Sequence, residues 1–81
     1  MKVCVCLFAA LREAAGRDRI ELDLPEPATV GQCRRRLAEA APGLGPQMGA
    51  ALFAIDARYA ADNETIDLGK ELACFPPVSG G

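Results

Sequence analysis

The residues of this 81-residue chain with chemistry to offer are few. Histidine is absent, which removes the usual general base and the commonest metal ligand. Self-contained catalysis is not expected, so any chemistry must come from carboxylates, thiols, backbone groups or a partner. Four cysteines are present, Cys4, Cys6, Cys33 and Cys74. They sit in apolar segments, as small buried hydrophobes do in a reducing cytosol, and do not read as a disulfide framework. Cys4-x-Cys6 is not followed by a second ligand pair with zinc spacing, so no metal site is expected there. The strongest local signal is the last six residues. Pro76-Pro77 has fixed φ and no backbone donor, so it ends a sheet and launches the chain as a stiff extended segment. Val78-Ser79-Gly80-Gly81 behind it is thin and flexible. Six residues reach about 20 Å at most, and the two glycines lack a Cβ. Such a tail can thread a narrow channel and present the Gly81 carboxylate inside another protein.

The preceding residues must supply a body that carries this tail. Val3-Cys4-Val5-Cys6-Leu7-Phe8 reads as a central strand, split by period two into Val3/Val5/Leu7 and Cys4/Cys6/Phe8. Ala9 to Ala15 are helix formers closed by Gly16. Ile20-Glu21-Leu22-Asp23-Leu24 alternates as a half-exposed edge strand does, and Pro25 ends it. Thr29 with Gln32 reads as a capping box, opening a helix whose apolar positions are Val30, Cys33, Leu37 and Ala40/Ala41. Pro42-Gly43 stops it. Its other face carries Arg34, Arg35, Arg36 and Glu39, expected to be solvated. Leu44 to Gly49 reads as a loop, Ala51 to Ile55 as a strand, and Arg58-Tyr59-Ala60 as a short return strand. Thr65 to Leu68 leads into a turn at Gly69-Lys70, and Glu71 to Phe75 forms the last strand.

The predicted fold class is α+β, a mixed sheet of about five strands with one main helix packed on one face. A β-domain over residues 1–75 is expected to carry a flexible tail over 76–81. If Val3/Val5/Leu7 and Leu72/Cys74 face the helix, alternation places Cys6/Phe8 and Ala73/Phe75 on the opposite face, which no second helix covers. An uncovered apolar patch with two aromatics marks a protein contact. Composition narrows the partner. Nine Lys+Arg against eleven Asp+Glu give a net charge of -2, which offers no general attraction to nucleic acid or an anionic membrane. No apolar run approaches the ~20 residues needed to cross a bilayer. A soluble, cytoplasmic protein is expected.

Two stretches, Leu7-Phe8-Ala9-Ala10-Leu11-Arg12-Glu13-Ala14-Ala15-Gly16 and Phe75-Pro76-Pro77-Val78-Ser79-Gly80-Gly81, resemble those of the small subunits of molybdopterin synthase. These are ubiquitin-like sulfur carriers with the β-grasp fold. The resemblance spans nearly the whole chain. It implies that an ATP-dependent activating enzyme of the ubiquitin-activating type adenylates Gly81, and that sulfur transfer converts this transient acyl adenylate into a thiocarboxylate. It further implies docking on the large synthase subunit within a heterotetramer and donation of the sulfur to a cyclic pterin precursor. On this reading Gly80 and Gly81 carry the chemistry and no cofactor is bound permanently. Phe8, Phe75, Cys6, Ala73, Pro76, Pro77, Val78 and Ser79 would then meet the partner. The chain departs from the family pattern at Gly69-Lys70-Glu71, where an acidic pair is usual, and at Asp56, where Asn is common. A carrier for thiamine thiazole assembly and a ubiquitin-like protein modifier share the Gly-Gly ending and remain as alternatives.

Overall fold

The structure, a computed structural model, describes residues 1–67 and 69–77. Strand β1 (Lys2–Leu7) leads into helix α1 (Ala9–Ala15), strand β2 (Arg19–Asp23) and the short strand β3 (Ala28–Thr29). Helix α2 (Val30–Ala40) follows, then a 3-10 turn at Pro42–Leu44 and the short helix α3 (Gly45–Met48). Strands β4 (Leu52–Ile55), β5 (Arg58–Ala60), β6 (Thr65–Ile66) and β7 (Glu71–Phe75) complete the order.

Five strands form one sheet in the order β2-β1-β7-β4-β5, while β3 and β6 pair separately. The two terminal strands, β1 and β7, lie parallel at its centre, and every other neighbour is antiparallel. This is the expected α+β arrangement, a β-grasp, with β2 at an edge. Alternation decides the faces as the sequence implies. Val3, Val5, Leu7, Leu72 and Cys74 are buried in the core, against the buried positions Val30, Cys33 and Leu37 of α2. The intervening β1 side chains of Cys4 and Cys6 are only partly covered.

Local chemistry fixes the helix ends. The Thr29 hydroxyl accepts from the Gln32 amide at 3.2 Å, and Gln32 Oε1 accepts from the Thr29 amide at 2.8 Å, the reciprocal capping box. Gly16 closes α1 in the left-handed region (φ 73°), its amide donating to the Arg12 carbonyl. Gly43 serves closeness instead. A Cβ there would lie 2.8 Å from the Ala14 carbonyl oxygen, so the 3-10 turn can press against α1 only without a side chain.

Three expectations need correction. Residues 44–49 are not a loop, because Leu44 and Met48 stand four apart and both are buried. The surrounding Gly and Pro residues conceal that helical spacing, although Pro is well tolerated in a first helical turn. Ala40 is exposed and only Ala41 continues the buried side of α2. Thr65–Ile66, read from the sequence only as leading into the turn at Gly69-Lys70, also pairs as β6 with β3, and Leu68 lies outside the described residues. Finally, Arg34 is not on a solvated face.

The Arg34 side chain is only 19% exposed. Its Nη1 donates to the carbonyls of Met48 (2.6 Å) and Ala51 (2.7 Å), Nη2 to Asp62 Oδ1 (2.7 Å), and Cζ lies 5.0 Å from the centroid of the Phe53 ring. One guanidinium thus ties α2 to the end of α3, to the approach to β4 and to the β5–β6 turn. Truncation would leave two carbonyls without their donor, so Arg34→Ala is expected to cost about 2 kcal/mol. Thermal unfolding should fall by roughly 10 °C for a domain of this size. Arg34→Lys should recover less than half, because an ammonium lacks the planar fork.

Candidate functional site on the open sheet face

Strand register builds this site. Arg19, Cys6, Ala73, Ala54 and Tyr59 form one rung across all five strands, on the face away from α2. Alongside that rung, beyond the last residue of β1, Phe8 donates its amide to the Cys74 carbonyl at 3.2 Å and so prolongs the parallel β1–β7 ladder. Phe75 stands beside it. The two rings stack with centroids 4.8 Å apart and planes 11° from parallel. Phe8 is 41% exposed and Phe75 half-buried, and neither belongs to the core. Cys6, Ala73 and Ala54 floor a shallow depression next to the pair.

The sequence reading therefore places Phe8, Phe75, Cys6 and Ala73 together correctly. Pro76 continues from Phe75 half-buried and Pro77 exposed. Val78, Ser79, Gly80 and Gly81 lie outside the described residues. What the sequence reading missed is Tyr59, 67% exposed, which lines a second depression with Phe75, Ala54 and Ala57 and extends the apolar face to β5. The available signal was the antiparallel pairing of β5 on β4, which sets Tyr59 opposite Ala54.

Charged pairs rim this apolar centre. Arg19 pairs with Glu71 across β1. Lys70 Nζ donates to Asp56 Oδ2 at 2.9 Å. The two departures from the family pattern thus neutralise each other, and the hydrogen bond to Asp56, reinforced by its charge, holds the Lys70 ammonium above its usual pKa. At the far edge Arg58 pairs with Glu64, whose carboxyl is lowered by that hydrogen bond. An apolar centre with a polar rim is the anatomy of a protein–protein interface.

The turn bearing Asp56 is strained. Asp56 (φ 52°) and Ala57 (φ 64°) both occupy the left-handed region in the two-residue connection from β4 to β5, where Asn-Gly is the favoured pair. Ala57→Gly is expected to stabilise the fold by about 1 kcal/mol, read as a higher urea midpoint at unchanged slope.

The thiols divide by depth. Burial pushes Cys33 and Cys74 up to about 12, so neither is a thiolate near neutrality. Burial also raises Cys6, though its sulfur stays partly accessible, as does that of Cys4. In the native protein an aromatic disulfide reagent is expected to titrate Cys4 and Cys6 alone, with all four reacting after unfolding. Reaction of Cys33 or Cys74 at native rates would show that the core opens.

Among the described residues no helix is long and apolar enough to cross a membrane. Residues 5–81 match the ThiS family. The chain is 31% identical over 81 residues to an Arabidopsis thaliana protein named molybdopterin synthase sulfur carrier subunit, a match covering 100% of this chain and 84% of that one. It is 36% identical over 87 residues to small archaeal modifier protein 1 of Haloferax volcanii, covering 93% and 95%. The crystal structure of that modifier superimposes with a TM-score of 0.84 at 33% identity over the full length of both chains. A family match that runs from within β1 to Gly81, together with relatives aligned over most of their own lengths, makes the chain a member of the ThiS family.

Proposed function

We propose that this protein is the sulfur carrier subunit of a molybdopterin synthase and that sulfur rides on the Gly81 α-carboxylate. The observation that supports it best is the stacked Phe8–Phe75 pair on an uncovered sheet face, one residue before Pro76. A docking surface at the root of the tail lets one binding event fix both the body and the direction in which residues 76–81 leave. Ordering six tail residues costs roughly 1 to 2 kcal/mol each, while burying one Phe returns roughly 1.5 to 3. Docking must therefore use several apolar side chains of the open face besides the tail.

In the proposed cycle a Gly81 carboxylate oxygen attacks the α-phosphorus of ATP on an activating enzyme, and pyrophosphate leaves. A sulfide-level nucleophile then attacks the acyl carbon and expels AMP, giving the thiocarboxylate without net redox change. Activation is needed because a free carboxylate is a poor electrophile and AMP a good leaving group. The thiocarboxylate is in turn a strong sulfur nucleophile, which the large subunit would present to a cyclic pterin precursor. Two charged carriers serve each dithiolene, in keeping with a heterotetramer. The carrier supplies the sulfur and the large subunit the active site.

A second reading is favoured by the likeness to the Haloferax volcanii modifier. There Gly81 would form isopeptide bonds with target lysines. Mass spectrometry of the protein from its own cells separates the two. A thiocarboxylate adds about 16 Da, the exchange of oxygen for sulfur, whereas a modifier leaves Gly-Gly remnants on lysines of other proteins. Remnants without the sulfur-shifted form would overturn the carrier reading.

A further inference from the structure

Cys4 and Cys6, two apart on β1, point to the same face of the sheet. The parallel register sets Cys4 opposite Glu71 of β7, 67 positions further along the chain and so invisible to any local spacing rule. The two sulfurs and a Glu71 carboxylate oxygen all lie within 4.8 Å of one another, and Cys6 Sγ donates to Glu71 Oε1 at 3.6 Å. Both thiols are partly exposed, so solvent has access to them. Tetrahedral zinc, with Zn–S near 2.3 Å and Zn–O near 2.0 to 2.2 Å, needs its donors about 3.5 to 3.8 Å apart. That is a contraction of about 1 Å, within reach of small χ rotations on strands whose backbones need not move.

The donor set also discriminates among metals. Two thiolates with one carboxylate suit borderline Zn(II), whereas Mg(II) and Ca(II) prefer all-oxygen shells. The groups facing the cluster are Arg19, which pairs with Glu71, and Glu21, which lies opposite Cys4 on β2 and is held by Lys2. A cation entering the cluster must compete with Arg19 for Glu71. That pair is solvent-exposed, and exposed pairs of this kind contribute little.

We propose that Cys4, Cys6 and Glu71 form a three-ligand site for Zn(II) on the open sheet face, with the fourth position left to water. Loading forms two Zn–S bonds and one Zn–O bond to Glu71 as these donors displace water from the hydrated ion, one water staying bound. Glu71 leaves Arg19, and the two thiol protons pass to buffer with no change of oxidation state. Three protein ligands leave one position open to solvent, unlike the closed four-ligand shell of structural zinc sites.

The test is titration of the reduced, full-length protein with Co(II) as a spectroscopic stand-in, followed by displacement with Zn(II). The expected result is one equivalent of Co(II) per chain, with a thiolate-to-cobalt charge-transfer band that Zn(II) abolishes. Cys4→Ser and Cys6→Ser should each remove most of the band. Glu71→Gln, at an exposed position that does not threaten the fold, should weaken Zn(II) binding about tenfold or more, and Arg19→Ala should tighten it. Absence of the band in the wild type overturns the site. So does a band that survives in the Cys4→Ser/Cys6→Ser double variant, which would assign the metal to Cys33 and Cys74, or zinc affinity unchanged by Glu71→Gln.

Discussion

Deletion of Gly81 is expected to abolish sulfur transfer while leaving docking on the large subunit nearly intact. The deletion draws the terminal carboxylate back by about 3.5 Å, and productive attack needs reacting atoms within roughly 3 to 3.5 Å of each other, so little residual rate should survive. Appending one residue should have the same effect by moving the reactive carbon the other way and adding a side chain where two glycines stand. Position should matter more than residue type. The stacked Phe8–Phe75 surface is untouched by either change, so both altered forms should compete with the wild type as inhibitors. The decisive measurement supplies a chemically prepared thiocarboxylate, which removes dependence on the activating enzyme, and follows product formation beside binding for the same variants. Substantial activity from an extended form that mass spectrometry shows unprocessed would refute the carrier mechanism. Loss of binding in step with activity would mean that the tail, and not the sheet face, holds the complex.

The sheet face was legible in advance because period-two alternation is a local property. Once Val3, Val5 and Leu7 are assigned to the core, Cys6 and Phe8 must lie opposite, and the same logic places Ala73 and Phe75. The capping box of Thr29 and Gln32 is likewise local and reads directly. Features that depend on pairing between distant segments were not legible. Glu71 reaches Cys4 and Cys6 only because β1 and β7 are parallel neighbours, whereas Tyr59 lay within reach of the return strand read over Arg58 to Ala60, whose short turn sets it opposite Ala54. Arg34 fails for a related reason. A run of three arginines reads as surface, yet the end of α3, the approach to β4 and the turn at Asp62 close over the first of them. The pairing of Lys70 with Asp56 shows the same limit from another side, since two separate departures from a family pattern become one neutral contact when the turns bearing them meet.

Removal of either aromatic from that face should weaken docking strongly without unfolding the protein. Phe8→Ala and Phe75→Ala are each expected to cost about 1.5 to 3 kcal/mol of binding, roughly a 10- to 150-fold rise in Kd, since a central aromatic in a desolvated patch is where interface energy concentrates. The rings stack at 4.8 Å, so each helps to hold the other. The double variant should therefore depart from the sum of the singles by about 0.5 to 1.5 kcal/mol. Tyr59→Ala, at the edge strand and two-thirds exposed, should have the smaller effect expected of a rim position. Stability should change little in the single variants, because neither ring belongs to the core that α2 covers. Calorimetric titration of each variant against the large subunit, paired with a thermal melt, separates the two quantities. Wild-type affinity in both Phe variants would show that the open face is not the docking surface. A fall in melting temperature matching the loss of binding would show instead that the aromatic pair stabilises the free carrier, and the interface would then have to be sought along the charged rim.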